Sequence, residues 1–297
     1  MAGFTLLGEG LAQPAPSVRV CLMIRLLSAM VLTALSHDSQ RPAEHVEVLF
    51  LDVGQAEAIV IRSPEGRVAL VDAGLESIVA DLRRHGIDAI DVAIATHPHA
   101  DHIGGMAEVL RTIPVRYYMD NSVPHTTSTY RRLMETLQAS DVTYLRPTGR
   151  TIGLGSVRLT VLPPPSAADD MNDQSIGLLV EYGNFSTLLT GDAQVEELNH
   201  FLGLGVPRVT LLKASHHGAR DGVTPAWLAA TRPEVVVISV GRDNAYGHPS
   251  PWALRYYAAV TPEVYRTDQH GEILVWGRGD GSYEVATTGA GPGKDEP

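Results

Sequence analysis

Thr96-His97-Pro98-His99-Ala100-Asp101-His102-Ile103-Gly104-Gly105 packs three imidazoles and a carboxylate into six residues, directly after the alternating apolar run 91–95. A strand that ends in so ligand-dense a loop presents its side chains to whatever lies over the strand's carboxyl end. Neutral imidazole nitrogen and carboxylate oxygen both suit a borderline divalent ion, at roughly 2.0–2.2 Å for zinc. In extended backbone His97 and His99 fall on one side and can share an ion. Pro98 restricts its own φ and the conformation of His97, which stiffens the pair. Asp101 and His102, beyond the bend, are placed for a second ion, and Gly104-Gly105 lets the backbone turn tightly beneath both. A capped helix start with unrelated surface histidines would explain these residues one at a time, but not their convergence at ligand spacing.

Outward from this loop, other apolar runs end in the same kinds of residue. The strand expected at 68–71 runs into Asp72-Ala73-Gly74. Runs 176–182 and 185–190 form a hairpin about Gly183-Asn184, a pair that accepts positive φ, and the second delivers Asp192 after Gly191. A carboxylate there can bridge two ions about 3.5–4 Å apart, the clamp used for in-line phosphoryl displacement, although it would also serve as a helix cap for 196–202. Run 209–213 ends at Lys213 and turns into Ser215-His216-His217-Gly218. Run 235–240 leads into a donor-rich loop, 241–249, in which Arg242, Asn244, Tyr246 and His248 are expected to hold phosphate oxygens or act on the leaving group. Helices are expected at 78–86, 106–111 and 130–139, and a turn at 148–155. His125, alone in a polar loop, is assigned to the surface.

His-x-His-x-Asp-His after an apolar strand resembles the defining motif of the metallo-β-lactamase fold superfamily. The stretch 51–58, Thr190-Gly191-Asp192, Ser215-His216-His217-Gly218 and Tyr246-Gly247-His248-Pro249 resemble its ComEC-like branch, the hydrolase domain of competence DNA-uptake proteins. The resemblance runs from about residue 46 to 277 and implies a four-layer αββα sandwich, α/β in class, with the metals at one edge. It implies metal ligation by His97, His99, Asp101, His102, Asp192 and His216, with His217 beside them or meeting the substrate. Asp72 is implied to brace the histidine loop by hydrogen bonding. One departure stands out: many members place a third histidine of the first site ahead of the bridging aspartate, and this chain has Asn172 and Asp173 there. Either could supply oxygen in its place, and an oxygen-richer site tolerates manganese as well as zinc.

The chain of 297 residues, 44% hydrophobic, has the material for one domain of about 230–250 residues. We place it at 46–286. Residues 1–22 read as an over-long start and 23–36 as a secretory signal peptide, with Arg25 ahead of an apolar stretch and Ala34 and Ser36 near its end. A linker (37–45) and a disordered tail (287–297) complete the expectation. The protein is thus expected to be exported, to the periplasm or outside. The single cysteine, Cys21, excludes a disulfide framework and a cysteine-built metal site. A net charge of −11 argues against a general nucleic-acid binder, though bound dications would supply positive charge at a phosphate.

The expected function is hydrolysis by metal-activated water at a dinuclear Zn²⁺ or Mn²⁺ site, most simply of a phosphodiester in DNA, a small molecule or a wall polymer. Asp101 is expected to take part in catalysis, with His248 or Lys213 stabilising developing charge. No channel-forming spans are expected. Two rival readings use the same residues: a lactone, β-lactam or ester hydrolase of the same fold, and a non-catalytic binding module stabilised by metal.

Overall fold

The computed structural model describes residues 44–289. The expected over-long start and signal peptide, Cys21, residues 37–43 of the linker and residues 290–297 of the tail lie outside the described residues.

Runs of Val, Ile and Leu form strands that are buried on both faces where they lie central, as in β3 (Val68–Val71), all four residues of which are buried. The first sheet also holds β1 (His45–Phe50), β2 (Ile59–Arg62), β4 (Ile90–Ile94), β5 (Val115–Met119) and β6 (Thr143–Leu145), joined late in the chain by β14 (Ile273–Arg278) and β15 (Tyr283–Thr287). Its order is β15-β14-β1-β2-β3-β4-β5-β6. The second sheet is built from β7 (Thr151–Leu154), β8 (Val157–Leu162), β9 (Gly177–Tyr182), β10 (Phe185–Leu189), β11 (Leu211–Lys213), β12 (Val235–Ile238) and β13 (Val264–Arg266), in the order β13-β12-β11-β10-β9-β8-β7. Both sheets are mixed. In the first, β3 through β6 are parallel and the rest antiparallel; in the second, β10 through β13 are parallel and β7 through β10 antiparallel.

Between the sheets lies a core that includes Phe50, Ile59, Ile94, Leu178, Phe185 and Val237. Helices Val79–Arg84, Met106–Thr112 and Ser128–Gln138 contribute to a second core on the outside of the first sheet; helices Val195–Gly203, Pro225–Thr231 and Pro251–Ala258 do so on the second. The result is the expected αββα sandwich. No helix among the described residues is long and apolar enough to cross a membrane.

Two local expectations are corrected, and two helices are added. Residues 148–155 are not only a turn but contain β7, whose alternation of exposed and covered residues is too short and polar to show as a strand. Helices Pro225–Thr231 and Pro251–Ala258 were not anticipated. The domain does not end at 286: β15 pairs with β14 through Thr287, and the Thr288 and Gly289 amides donate to the Glu272 and His270 carbonyls.

Candidate metal centre

The parallel half of each sheet ends at the same edge, and the candidate site is assembled from the loops that leave it. β3 is followed by Asp72, β4 by the histidine loop, β10 by Asp192 and β11 by the one-turn segment Ser215–Gly218. Asp72 accepts from the Thr96 amide (2.7 Å), the Thr96 hydroxyl (2.8 Å) and His102 Nδ1 (2.7 Å). With its Nδ1 proton held by Asp72, His102 turns Nε2 outward as a lone-pair donor. His217 is fixed in the same manner: Nδ1 donates to the Ser239 carbonyl at 2.8 Å. Asp72, His216 and His217 all adopt positive φ (59°, 49° and 52°), backbone that non-glycine residues seldom hold except where the surroundings impose it.

Asp101, His102, Asp192 and His217 each bring a ligand atom within 4.8 Å of the others. His102 Nε2 lies 3.2 Å from Asp192 Oδ2 and 3.7 Å from Asp101 Oδ2, and His217 Nε2 lies 3.5 and 3.4 Å from the same two oxygens. His102 Nε2 and His217 Nε2, which both face Asp192 Oδ2, are buried without a hydrogen-bond partner. Buried polar atoms left unpaired are costly, so their convergence fits a divalent cation as the missing partner. The electrostatics agree. Burial opposes protonation of His102, but Asp192, Asp72 and Asp101 outweigh it and raise its pKa well above the ordinary value: the three carboxylates draw positive charge to Nε2, either a proton or, in place of the proton, a cation. Burial also opposes ionisation of Asp192, and His217 and His102 overcome it, so its carboxyl stays well below the usual range.

His97 and His99 sit beside this group, His97 Nε2 3.1 Å from His99 Nδ1, a separation suited to two ligands of one ion. Burial, reinforced by His102, pushes His97 far below the usual imidazole range, and burial lowers His99 too; neutral imidazole is the ligating form. Asn172 faces the cleft where a third histidine is absent. Its Oδ1 is buried and unpaired, while Nδ2 lies 3.4 Å from His216 Nε2. Asp173 does something else: its Oδ1 accepts from the Gln194 and Glu197 amides and caps the helix Val195–Gly203.

The structure redistributes several expected roles. It brings His217, not His216, into the four-residue group. Two consecutive left-handed residues set the direction of both side chains: His216 Nδ1 donates to Asp221, and its Nε2 stands 4.0 Å from Asp192. Lys213 cannot meet a substrate: it is fully buried, ion-paired with Glu57 and bonded to the Gly191 carbonyl at 3.0 Å. Burial opposes its charge, but Glu57 and Asp192 outweigh that and raise its pKa. Arg242 turns away to the Asp268 carbonyl, and Asn244 is spent on its own loop, donating to the Gly241 and His248 carbonyls and accepting from the Tyr246 and His248 amides. Tyr246 and His248 do line the cleft, a cavity of about 370 Å³ with Asp101, Asp192, His216 and His217 also on its walls.

Sequence reasoning missed three contributors. His125 is a cleft residue, its ring 6.0 Å from that of His99. Gln55 also lines the cleft and accepts from the Gly241 amide, tying the first sheet's loop to the second's. Glu57, the buried partner of Lys213, has an amide that donates to the Asp101 carbonyl at 3.1 Å. Its place in the stretch 51–58 was the only available signal.

Residues 51–242 match the sequence profile of the metallo-beta-lactamase superfamily. Among characterised proteins, the chain is 26% identical over 258 residues to ComE operon protein 3 of Bacillus subtilis, covering 76% of this chain and 32% of that protein. It is 27% identical over 256 residues to competence protein ComA of Neisseria gonorrhoeae, covering 82% and 34%. The chain thus spans about a third of the length of these relatives. A diphosphatase from the PhnP family superposes with a TM-score of 0.50 at 14% identity, covering 81% of this chain and 99% of that one, a likeness of fold.

Proposed function

Since the chain belongs to the metallo-beta-lactamase superfamily and has the fold of its metallo-hydrolases, we propose that it hydrolyses a phosphodiester at a two-ion centre. The observation that carries this reading is the meeting of Asp101 and His102 from one sheet with Asp192 and His217 from the other, at the floor of an open cleft, with orphaned ligand atoms directed inward. His97 and His99 would hold the first ion and Asp101, His102 and His217 the second, with Asp192 between them. Divalent ions there would supply Lewis acidity toward a phosphoryl oxygen and lower the pKa of a bound water.

The remaining work falls to this chain's own side chains. Asp72 and the Ser239 carbonyl orient the imidazoles of His102 and His217. Buried Lys213 offsets the charge of Glu57 and Asp192 beneath the centre. His248 lines the cleft, and burial together with His216 lowers its pKa, so it is the neutral imidazole placed to accept a proton there. Competence proteins among the relatives and a diphosphatase among the fold neighbours support a phosphorus-centred substrate over a lactone or lactam.

The test is turnover of bis-p-nitrophenyl phosphate by the purified chain after chelation and add-back of Mn²⁺ or Zn²⁺, beside an Asp101→Ala/His102→Ala variant. Metal-dependent turnover, lost by at least about 10³-fold in the variant, is expected. No turnover by metal-loaded protein sinks the phosphodiester reading and directs attention to lactones and thioesters.

A further inference from the structure

The rim of the cleft carries an aromatic ring for which the chemistry at its floor has no use. Tyr246 is 73% exposed, more than any other large hydrophobic residue among those described, yet it lines the same cleft as Asp101, Asp192 and His217. Its ring stacks on that of His248, with centroids 5.8 Å apart and planes 28° from parallel. His248 is in turn met edge-on by His216 at 5.4 Å. The Asn244 side chain makes four hydrogen bonds within the loop, two of them to the backbone of His248 and one to the Tyr246 amide. The tyrosine ring is therefore backed by a second ring, its loop is braced, and most of its surface is left to solvent in the cleft that holds the candidate metal centre.

A braced aromatic face presented to water is a platform for a planar partner. Resting on the phosphodiester reading above, we infer that Tyr246 stacks on the base of a nucleotide and is the residue that sets a preference for nucleoside-bearing over other phosphodiesters. Charge supports a stacking contribution over an electrostatic one. The chain carries a net charge of −11, and Asp169 and Asp170 lie exposed just ahead of Asn172 in the cleft wall. Beyond the phosphate that the ions would hold, little attraction for a polyanionic backbone is available, and a short strand or single nucleotide must draw further affinity from the base. A base stacked on one aromatic side chain is worth roughly 10- to 100-fold in affinity. A quaternary ammonium group, the other ligand such a ring attracts, is ordinarily held by a cage of several phenyl, phenol or indole faces, and among the residues that line this cleft Tyr246 supplies the one such ring.

Calorimetric titration of the metal-loaded full chain with thymidine 5′-monophosphate, methyl phosphate and phosphocholine tests this without relying on turnover. Wild type is expected to bind the nucleotide roughly 10-fold or more tightly than methyl phosphate. That ratio should fall to about one in Tyr246→Ala and return in Tyr246→Trp. Equal affinities in wild type, a ratio that survives Tyr246→Ala, or a Tyr246-dependent preference for phosphocholine would each overturn the proposal. Turnover of bis-p-nitrophenyl phosphate, read separately, reports on the phosphodiester reading: nucleotide preference without turnover rejects that reading and leaves the stacking intact.

Discussion

Asp72 concentrates the residue-scale logic of the site. Three buried donors converge on its two oxygens, the Thr96 amide, the Thr96 hydroxyl and His102 Nδ1, and the carboxylate accepts from all of them. An asparagine offers one oxygen and a donor, so in Asp72→Asn at least one buried donor faces another. We expect a loss of about 1–3 kcal/mol in stability and metal affinity weakened roughly 10- to 100-fold as His102 loses its orientation. Zinc competition titration and thermal unfolding measure both; unchanged zinc affinity would mean that another group aims His102. The bracing role of Asp72 was legible only through the family resemblance, since nothing in its spacing points to His102. Lys213 misled for a related reason: a lysine at a strand end reads as a charge available to solvent, and its burial depends on Glu57, distant in sequence and in the loop between two strands of the other sheet. The assignment of metal ligation to His216, with His217 beside it, came with the family resemblance. The structure instead has two left-handed residues in succession, which no residue type at those positions announces.

At the scale of elements, the metal loop is held by contact between backbones. A Cβ on Gly104 would lie 1.9 Å from the Leu75 carbonyl oxygen, and one on Gly105 would lie 2.3 Å and 2.4 Å from those of Glu76 and Ala73. The short helix Ala100–Ile103 can therefore dock on the segment after β3 only if both positions lack side chains. Gly105→Ala is expected to cost about 1–3 kcal/mol through forced separation and to weaken metal binding with it. Gly203→Ala, at a position with open space around its would-be Cβ, serves as the control and should be near neutral. Equal melting temperatures for the two variants would show that the loop yields where it is read as rigid. The glycine pair was visible as a turn; the close approach to residues 73–76 was not, because it is a tertiary contact. Central strands were legible from their apolar runs. Helices Pro225–Thr231 and Pro251–Ala258 also carried a signal, a capping Thr224 or Ser250 followed by proline, but their apolar periodicity is too short to register.

On the scale of the whole molecule, the ligands come from both sheets, so the geometry of the centre depends on how the sheets pack. One buried group in the helix that follows Asp192 makes the stability of the fold depend on pH. Glu197, in the helix that follows Asp192, is fully buried; its Oε2 accepts from the Ser175 amide at 3.1 Å, and Oε1 has no partner. Burial, opposed by that hydrogen bond and aided by Asp173, raises its pKa from 4.5 to about 10. The folded chain therefore carries this carboxyl protonated at neutral pH, while the unfolded chain would have ionised it. Between the two values the unfolded state binds fewer protons, so stability falls as pH rises. The contribution is fully present below about 4.5 and is lost toward about 10, with a slope approaching ~1.4 kcal/mol per pH unit for a single group. Glu197→Gln keeps the shape and an acceptor for Ser175 but cannot ionise. Its advantage in melting temperature over wild type should be near zero at pH 5 and widen at pH 7 and again at pH 9. A gap that does not change with pH would place the ionised form of Glu197 in the folded protein, and would require a partner for its second oxygen that the fold does not provide.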